Sequence, residues 1–169
     1  MIRLKTVKWK NFLATGNRFI EVELDQEPMM LVVGKNGAGK STLIDAITFS
    51  LFGKPFKKIN KGQLVNSVNG REMVTEIEFS VGTANWKVRR GIKPNVFEIY
   101  LNGSLVNQDA KSLDYQKYLE DKVLKLNFKS FTQIVVLGSA SFVPFMQLTA
   151  NDRRIIIEDI LDIGIFPVM

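Results

Sequence analysis

Residues 34–41 spell Gly-Lys-Asn-Gly-Ala-Gly-Lys-Ser, and their flanks constrain the fold more than the octapeptide itself does. Before the loop runs Met29-Met30-Leu31-Val32-Val33, an unbroken apolar stretch that reads as a strand buried on both faces. After it, Leu43, Ile44, Ala46, Ile47, Leu51 and Phe52 recur at helical spacing between Thr42 and Phe52. Strand, glycine loop and helix, in that order, turn a G-x-x-x-x-G-K-S match into a phosphate cradle.

The chemistry follows residue by residue, with positions 34–42 as the nucleotide-binding set: Gly34, Lys35, Asn36, Gly37, Ala38, Gly39, Lys40, Ser41 and Thr42. The glycines lack a Cβ and can turn successive N–H groups toward one anion. The helix behind them adds unpaired N–H groups and the positive end of its dipole. Lys40 is expected to reach the β- and γ-phosphates and Ser41 to ligate Mg²⁺. The Thr42 hydroxyl suits the α-phosphate, and Asn36 at the loop apex the γ-phosphate side. ATP and Mg²⁺ are the expected cofactors.

Composition removes other readings. With 46% hydrophobic residues among 169 the chain can bury a core, and by length it reads as one domain or part of a larger one. It has no cysteine and no histidine, so thiolate metal sites, disulfides and an imidazole base are excluded. No apolar run has the length of a membrane span, and Met1-Ile2-Arg3-Leu4-Lys5 has no signal-peptide core. A cytoplasmic protein without a membrane partner is the simplest expectation. The net charge of +6 is modest, but Lys54, Lys57, Lys58 and Lys61 crowd one segment and Lys87, Arg89, Arg90 and Lys93 another.

The remaining elements read as follows. Strands are expected at Ile2–Trp9 and Phe19–Leu24, with Ile20, Val22 and Leu24 on one face of the second and Glu21 and Glu23 on the other. Gly53-Lys54-Pro55 should stop the loop helix. Met73–Val81, Trp86–Arg90 and Val96–Leu101 are strand candidates, and Asn102-Gly103 signals a hairpin into Ser104–Val106. A helix is expected over Ser112–Leu124, burying Leu113, Leu119, Val123 and Leu124. Phe128–Leu137 fits either state. Thr149-Ala150-Asn151-Asp152 resembles a capping box opening a helix from about Ala150 to Ile163. Ile155-Ile156-Ile157-Glu158-Asp159 imitates a Mg²⁺-supporting carboxylate strand, but its cap and spacing are helical. The loop strand needs parallel neighbours that one βα unit does not supply, so the chain reads as half of an ATPase.

These stretches resemble the split-head ABC-type ATPases, the SMC and SbcC-like DNA-repair ATPases. The resemblance rests on Lys10-Asn11-Phe12-Leu13, the 34–41 loop, Asp45-Ala46-Ile47 to Leu51-Phe52-Gly53, and Phe131-Thr132-Gln133-Ile134-Val135-Val136-Leu137 leading to Phe142 and Phe145. Asp152-Arg153 and Ile157-Glu158-Asp159-Ile160-Leu161 complete it. The wording is nearest to the phage branch. The resemblance implies an N-terminal lobe over 1–169, α/β with a mixed central sheet around the loop helix plus an antiparallel sheet, and a coiled coil and C-terminal lobe beyond. It implies ATP-driven homodimerisation of two heads, a metallophosphoesterase-type nuclease partner and double-stranded DNA. DNA would lie on the N-terminal lobes, with Lys54, Lys57, Lys58, Lys61, Lys87, Arg89, Arg90 and Lys93 as contacts. Ser139 stands where the family carries a glutamine that contacts Mg²⁺ and water, and Leu13 where many relatives carry arginine. A nucleotide-binding subunit of an ABC transporter and a small P-loop kinase are the competing readings. Trp9 and Trp86 read as core.

Overall fold

The computed structural model describes residues 2–57, 59–106, 112–136 and 143–161. It divides into two compact units, residues 1–112 and 113–169.

The first unit is built on a six-stranded, wholly antiparallel sheet in the order β2-β1-β3-β4-β5-β6. Its strands are β1 (Ile2–Lys10), β2 (Ile20–Glu23), β3 (Met73–Val81), β4 (Ala84–Ile92), β5 (Val96–Leu101) and β6 (Ser104–Leu105). Period-two alternation decides the faces. Val7, Trp9, Met73, Ile77, Phe79, Trp86, Val88 and Ile99 are buried on the inner side. The helix α1 (Lys40–Phe52) packs there against β1, β3 and β4. Phe49 of α1 meets Phe12 with ring centroids 5.9 Å apart. Burying each such ring stabilises the unit by roughly 3–5 kcal/mol relative to alanine.

Asparagines lock the loop after β1. Asn11, 1% exposed, donates its amide to Asn17 and accepts from Asn69, while the Asn66 amide donates to the carbonyl of Leu13. An isolated bridge pairs Phe12 with Val65 beside a 3₁₀ turn at Lys61–Leu64. Asn60 and Gln63 cap that turn reciprocally.

One expectation fails in a revealing way. Met29–Val33 forms no strand, and Met29, Leu31 and Val33 are 88%, 83% and 77% exposed. An apolar run buries itself in a sheet only when flanking strands supply hydrogen-bond partners. All six strands of this sheet pair elsewhere. The antiparallel sheet is therefore present, and the mixed central sheet expected around α1 does not form among the described residues. The α/β class and the position of α1 stand.

The second unit is helical. The helix α2 (Ser112–Tyr118) continues as a wider π-turn over Leu119–Leu124, which buries Leu119, Val123 and Leu124. The ambiguous stretch after it is a helix, α3 (Phe128–Ile134), because the Asn127 side chain accepts from the N–H groups of Lys129 and Ser130. A second 3₁₀ turn spans Phe145–Gln147, and α4 runs from Ala150 to Leu161. The Thr149 hydroxyl accepts from Asp152 N–H, one half of the expected capping box; the Asp152 carboxylate meets Lys129 of α3 instead. Glu158 lies within α4, as its spacing required.

Candidate functional site

The glycine loop closes around its own lysine. Lys40 Nζ donates to the carbonyls of Gly34 at 2.5 Å and Lys35 at 2.9 Å. Gly37 and Gly39 sit at φ 83° and 91°, left-handed backbone that side-chain-bearing residues adopt at a cost. Gly34 serves differently: a Cβ there would lie 3.3 Å from Ala38 Cβ, so it would fit only if Ala38 gave way by a few tenths of an ångström. Gly39 is the N-cap of α1 and brings no side-chain cap, and the first turn holds no acidic residue. The amides at this end of α1 thus point from an open, uncapped helix start, the arrangement that receives a phosphate. Lys35, Asn36 and Ser41 are exposed, whereas Thr42 is buried.

The other end of α1 is anchored. Gly53, at φ 67°, donates its N–H to Phe49 O at 2.8 Å. Arg90 of β4 reaches the same end: its Nε donates to Ser50 O at 2.7 Å and its Nη2 to Leu51 O at 3.2 Å. Its guanidinium lies 3.7 Å from the Phe97 ring centroid, a stacked cation–π contact. At 8% exposure Arg90 satisfies the terminal carbonyls and faces the negative end of the helix dipole. This corrects the expectation that Arg90 contacts DNA. The alternation of β4 puts it on the inner face with Trp86 and Val88, opposite Lys87 and Arg89.

Those two outer-face residues belong to a charge lattice. Registered pairing sets Glu21, Lys8, Glu76, Arg89 and Glu98 side by side across β2, β1, β3, β4 and β5, acid alternating with base. Lys8 pairs with Glu21 at 2.9 Å, Arg89 with Glu76 at 3.2 Å and Glu98 at 3.4 Å, and Lys87 with Glu76 at 3.0 Å. Glu21 raises the Lys8 pKa through their hydrogen bond, and Glu98 raises that of the Tyr100 hydroxyl in the same way. Lys87 and Arg89 are thus matched by acids. Lys54, Lys61 and Lys93 are exposed. Lys58 and Ser139 lie outside the described residues.

Lys57 has turned toward the loop helix. Its backbone N–H donates to Asp45 Oδ1 at 3.0 Å, and its ammonium donates to Ser41 Oγ at 2.9 Å. The same ammonium stands 3.6 Å from Asp45 Oδ2, a buried oxygen with no hydrogen-bond donor among the described residues. Asp45 falls four residues after Ser41, on the same face of α1 one turn on. The resemblance includes Asp45 without giving it a role, although that i, i+4 spacing was the available signal. A hydroxyl and an orphaned carboxylate oxygen on one helix face form an all-oxygen donor set suited to a hard cation, so these residues fit Mg²⁺.

Comparison with known proteins places this geometry. The family model described as AAA domain matches residues 6–163. Exonuclease subunit 2 of Enterobacteria phage T4 is 44% identical over 162 residues, covering 96% of this chain and 29% of that protein. The probable DNA double-strand break repair Rad50 ATPase of Aquifex aeolicus is 29% identical over 80% of this chain and 14% of its own length. Among solved structures, the Smc head domain of Pyrococcus furiosus, bound to the C-terminal domain of ScpA, superposes with a TM-score of 0.65. It shares 20% identity, and the match covers 95% of this chain and 42% of that one. The chain spans less than a third of the length of these curated relatives.

Proposed function

The chain belongs to the AAA domain family, with a phage exonuclease subunit 2 and a probable Rad50 ATPase as relatives, and from that premise we propose that it is the ATP-binding half of a DNA-repair and recombination ATPase. One observation carries the reading: a complete phosphate loop on an anchored helix adjoins an apolar segment, Met29–Val33, that has no strand partner among the described residues. A C-terminal lobe of the same protein would bring the missing parallel strands, with a coiled coil between the lobes. Two such heads then close on ATP as a homodimer and regulate a metallophosphoesterase-type nuclease acting on double-stranded DNA.

Within the head, Lys40 holds the β- and γ-phosphates and the open start of α1 receives them. Ser41 would hold Mg²⁺, which neutralises charge on the transferred phosphate. Ser139, which stands where the family carries a glutamine, is the proposed contact to the metal and the attacking water. Lys54, Lys58, Lys61 and Lys93 are the proposed DNA contacts. They meet phosphates, so binding weakens steeply with salt and is largely indifferent to sequence.

The test is ATP binding and turnover by this chain, alone and mixed with a separately supplied C-terminal lobe. Turnover is expected only in the mixture, and Lys40→Ala should weaken ATP binding by at least about 100-fold, ~2.7 kcal/mol. Full turnover by the chain alone overturns the half-site reading.

A further inference from the structure

We propose that the Ser41–Asp45 face of α1 is a cation site that the chain fills with its own Lys57 ammonium, so that Mg²⁺ reaches Ser41 in competition with Lys57. The proposal deepens the nucleotide-binding reading above and rests on it. Its starting point is the burial of Asp45. The side chain is 1% exposed, and one oxygen receives no hydrogen bond from the described residues. A buried carboxylate oxygen without a hydrogen-bond donor calls for a positive charge nearby to offset its burial.

The geometry selects Lys57 for that role. The backbone bond from Lys57 N–H to Asp45 Oδ1 fixes the root of the side chain beside the helix. From there the four-carbon stem carries the ammonium back between Asp45 Oδ2 and Ser41 Oγ, at 3.6 and 2.9 Å. The ammonium's neighbours are thus the hydroxyl expected to ligate the metal and the acid behind it. An ammonium is a compact, hydrated point charge, the side chain closest to a bound metal ion in these respects. Lys57 is also 48% exposed, so it can leave the site without unpacking the core.

Two consequences follow. Without Mg²⁺, Lys57 supplies a second cation beside Lys40, and nucleotide affinity is partly retained. With Mg²⁺, the metal must displace the ammonium from Ser41, so its gain in affinity is smaller than an open site would give. Lys57 thereby sets how strongly ATP binding depends on magnesium.

The experiment measures the affinity of the full-length protein for a fluorescent ATP analogue, once in EDTA and once at saturating Mg²⁺. The wild type is compared with Lys57→Met and with Lys57→Gln, which keeps a hydrogen-bond donor without the charge. Both variants should bind about tenfold more weakly in EDTA, and the ratio of the two affinities should rise at least about tenfold. A ratio within twofold of wild type in both variants, with Mg²⁺-dependent binding intact, overturns the role of Lys57. Failure of the wild-type protein to bind the analogue at saturating Mg²⁺ removes the nucleotide reading itself, and this inference with it.

Discussion

The two ends of α1 are built on opposite plans. At its start, Gly39 provides no cap, no acid occupies the first turn, and Ser41 is exposed. At its finish, Gly53 closes the backbone and Arg90 binds two terminal carbonyls while stacked on Phe97. The starts of α3 and α4 in the second unit follow neither plan, since the side chains of Asn127 and Thr149 accept from first-turn N–H groups and cap them. An uncapped start leaves donors and dipole for a ligand but forgoes about 1 kcal/mol of capping. A doubly held finish restores that loss from the other side. The lesson is a division of labour along one helix: groups tied down at the C-terminal end, donors left open at the N-terminal end.

Arg90→Met is the strongest way to break that contrast. It leaves two buried carbonyls without their donor and should destabilise the full-length protein by about 3 kcal/mol. Denaturant unfolding reads this loss, while nucleotide affinity of the folded fraction should stay within threefold. Lys40→Ala is expected to behave inversely, shifting stability by less than about 0.5 kcal/mol while removing nucleotide binding. If both substitutions changed affinity and stability together, the two ends would not be separable. Gly53→Ala comes next. A side chain at φ 67° is strained, and its Cβ would stand 3.2 Å from Arg90 Nη1, for a cost of about 1–2 kcal/mol. Unfolding of Gly53→Ala and Arg90→Met together, compared with each alone, then tests whether the two caps act as one device.

Most local structure was legible in the sequence because its signals are local. The bounds of β3 and β5 coincide with the expected strands, Asn102-Gly103 forms the turn, and Gly53 stops α1. The inward aim of Arg90 is also readable from its alternation with Trp86 and Val88, although it falls within a cluster of basic residues. What the chain concealed depends on contacts distant in sequence. The approach of Lys57 to Ser41 and Asp45 spans a connection whose path no spacing rule gives. Met29–Val33 is the sharpest case. Its apolarity states a destination inside a sheet, whereas its conformation depends on strands that this sheet does not offer. The backbone of the glycine loop was legible, since its positive-φ glycines and the helix start behind them occupy consecutive positions.

The smallest effect concerns the starts of the helices, where α4 contrasts with α1 by carrying an acid in its first turn. The Lys129 ammonium, with the Thr149 hydroxyl, holds the Asp152 carboxyl below its ordinary value of 3.8. A depressed carboxyl contributes stability above the unfolded pKa and loses it as pH falls through the folded value. The Lys129–Asp152 contact should therefore persist at neutral pH and be lost only below about pH 3.8. Hydrogen exchange at the first turn of α4 measures it: protection falls with acidification in the wild type and is pH-independent in Asp152→Asn, apart from intrinsic exchange. The first turn of α1 has no acid to protonate and should show no such step over the same range. A matching acid-induced step at α1 would mean that its start is held by a carboxylate after all, and the open phosphate end would need another explanation.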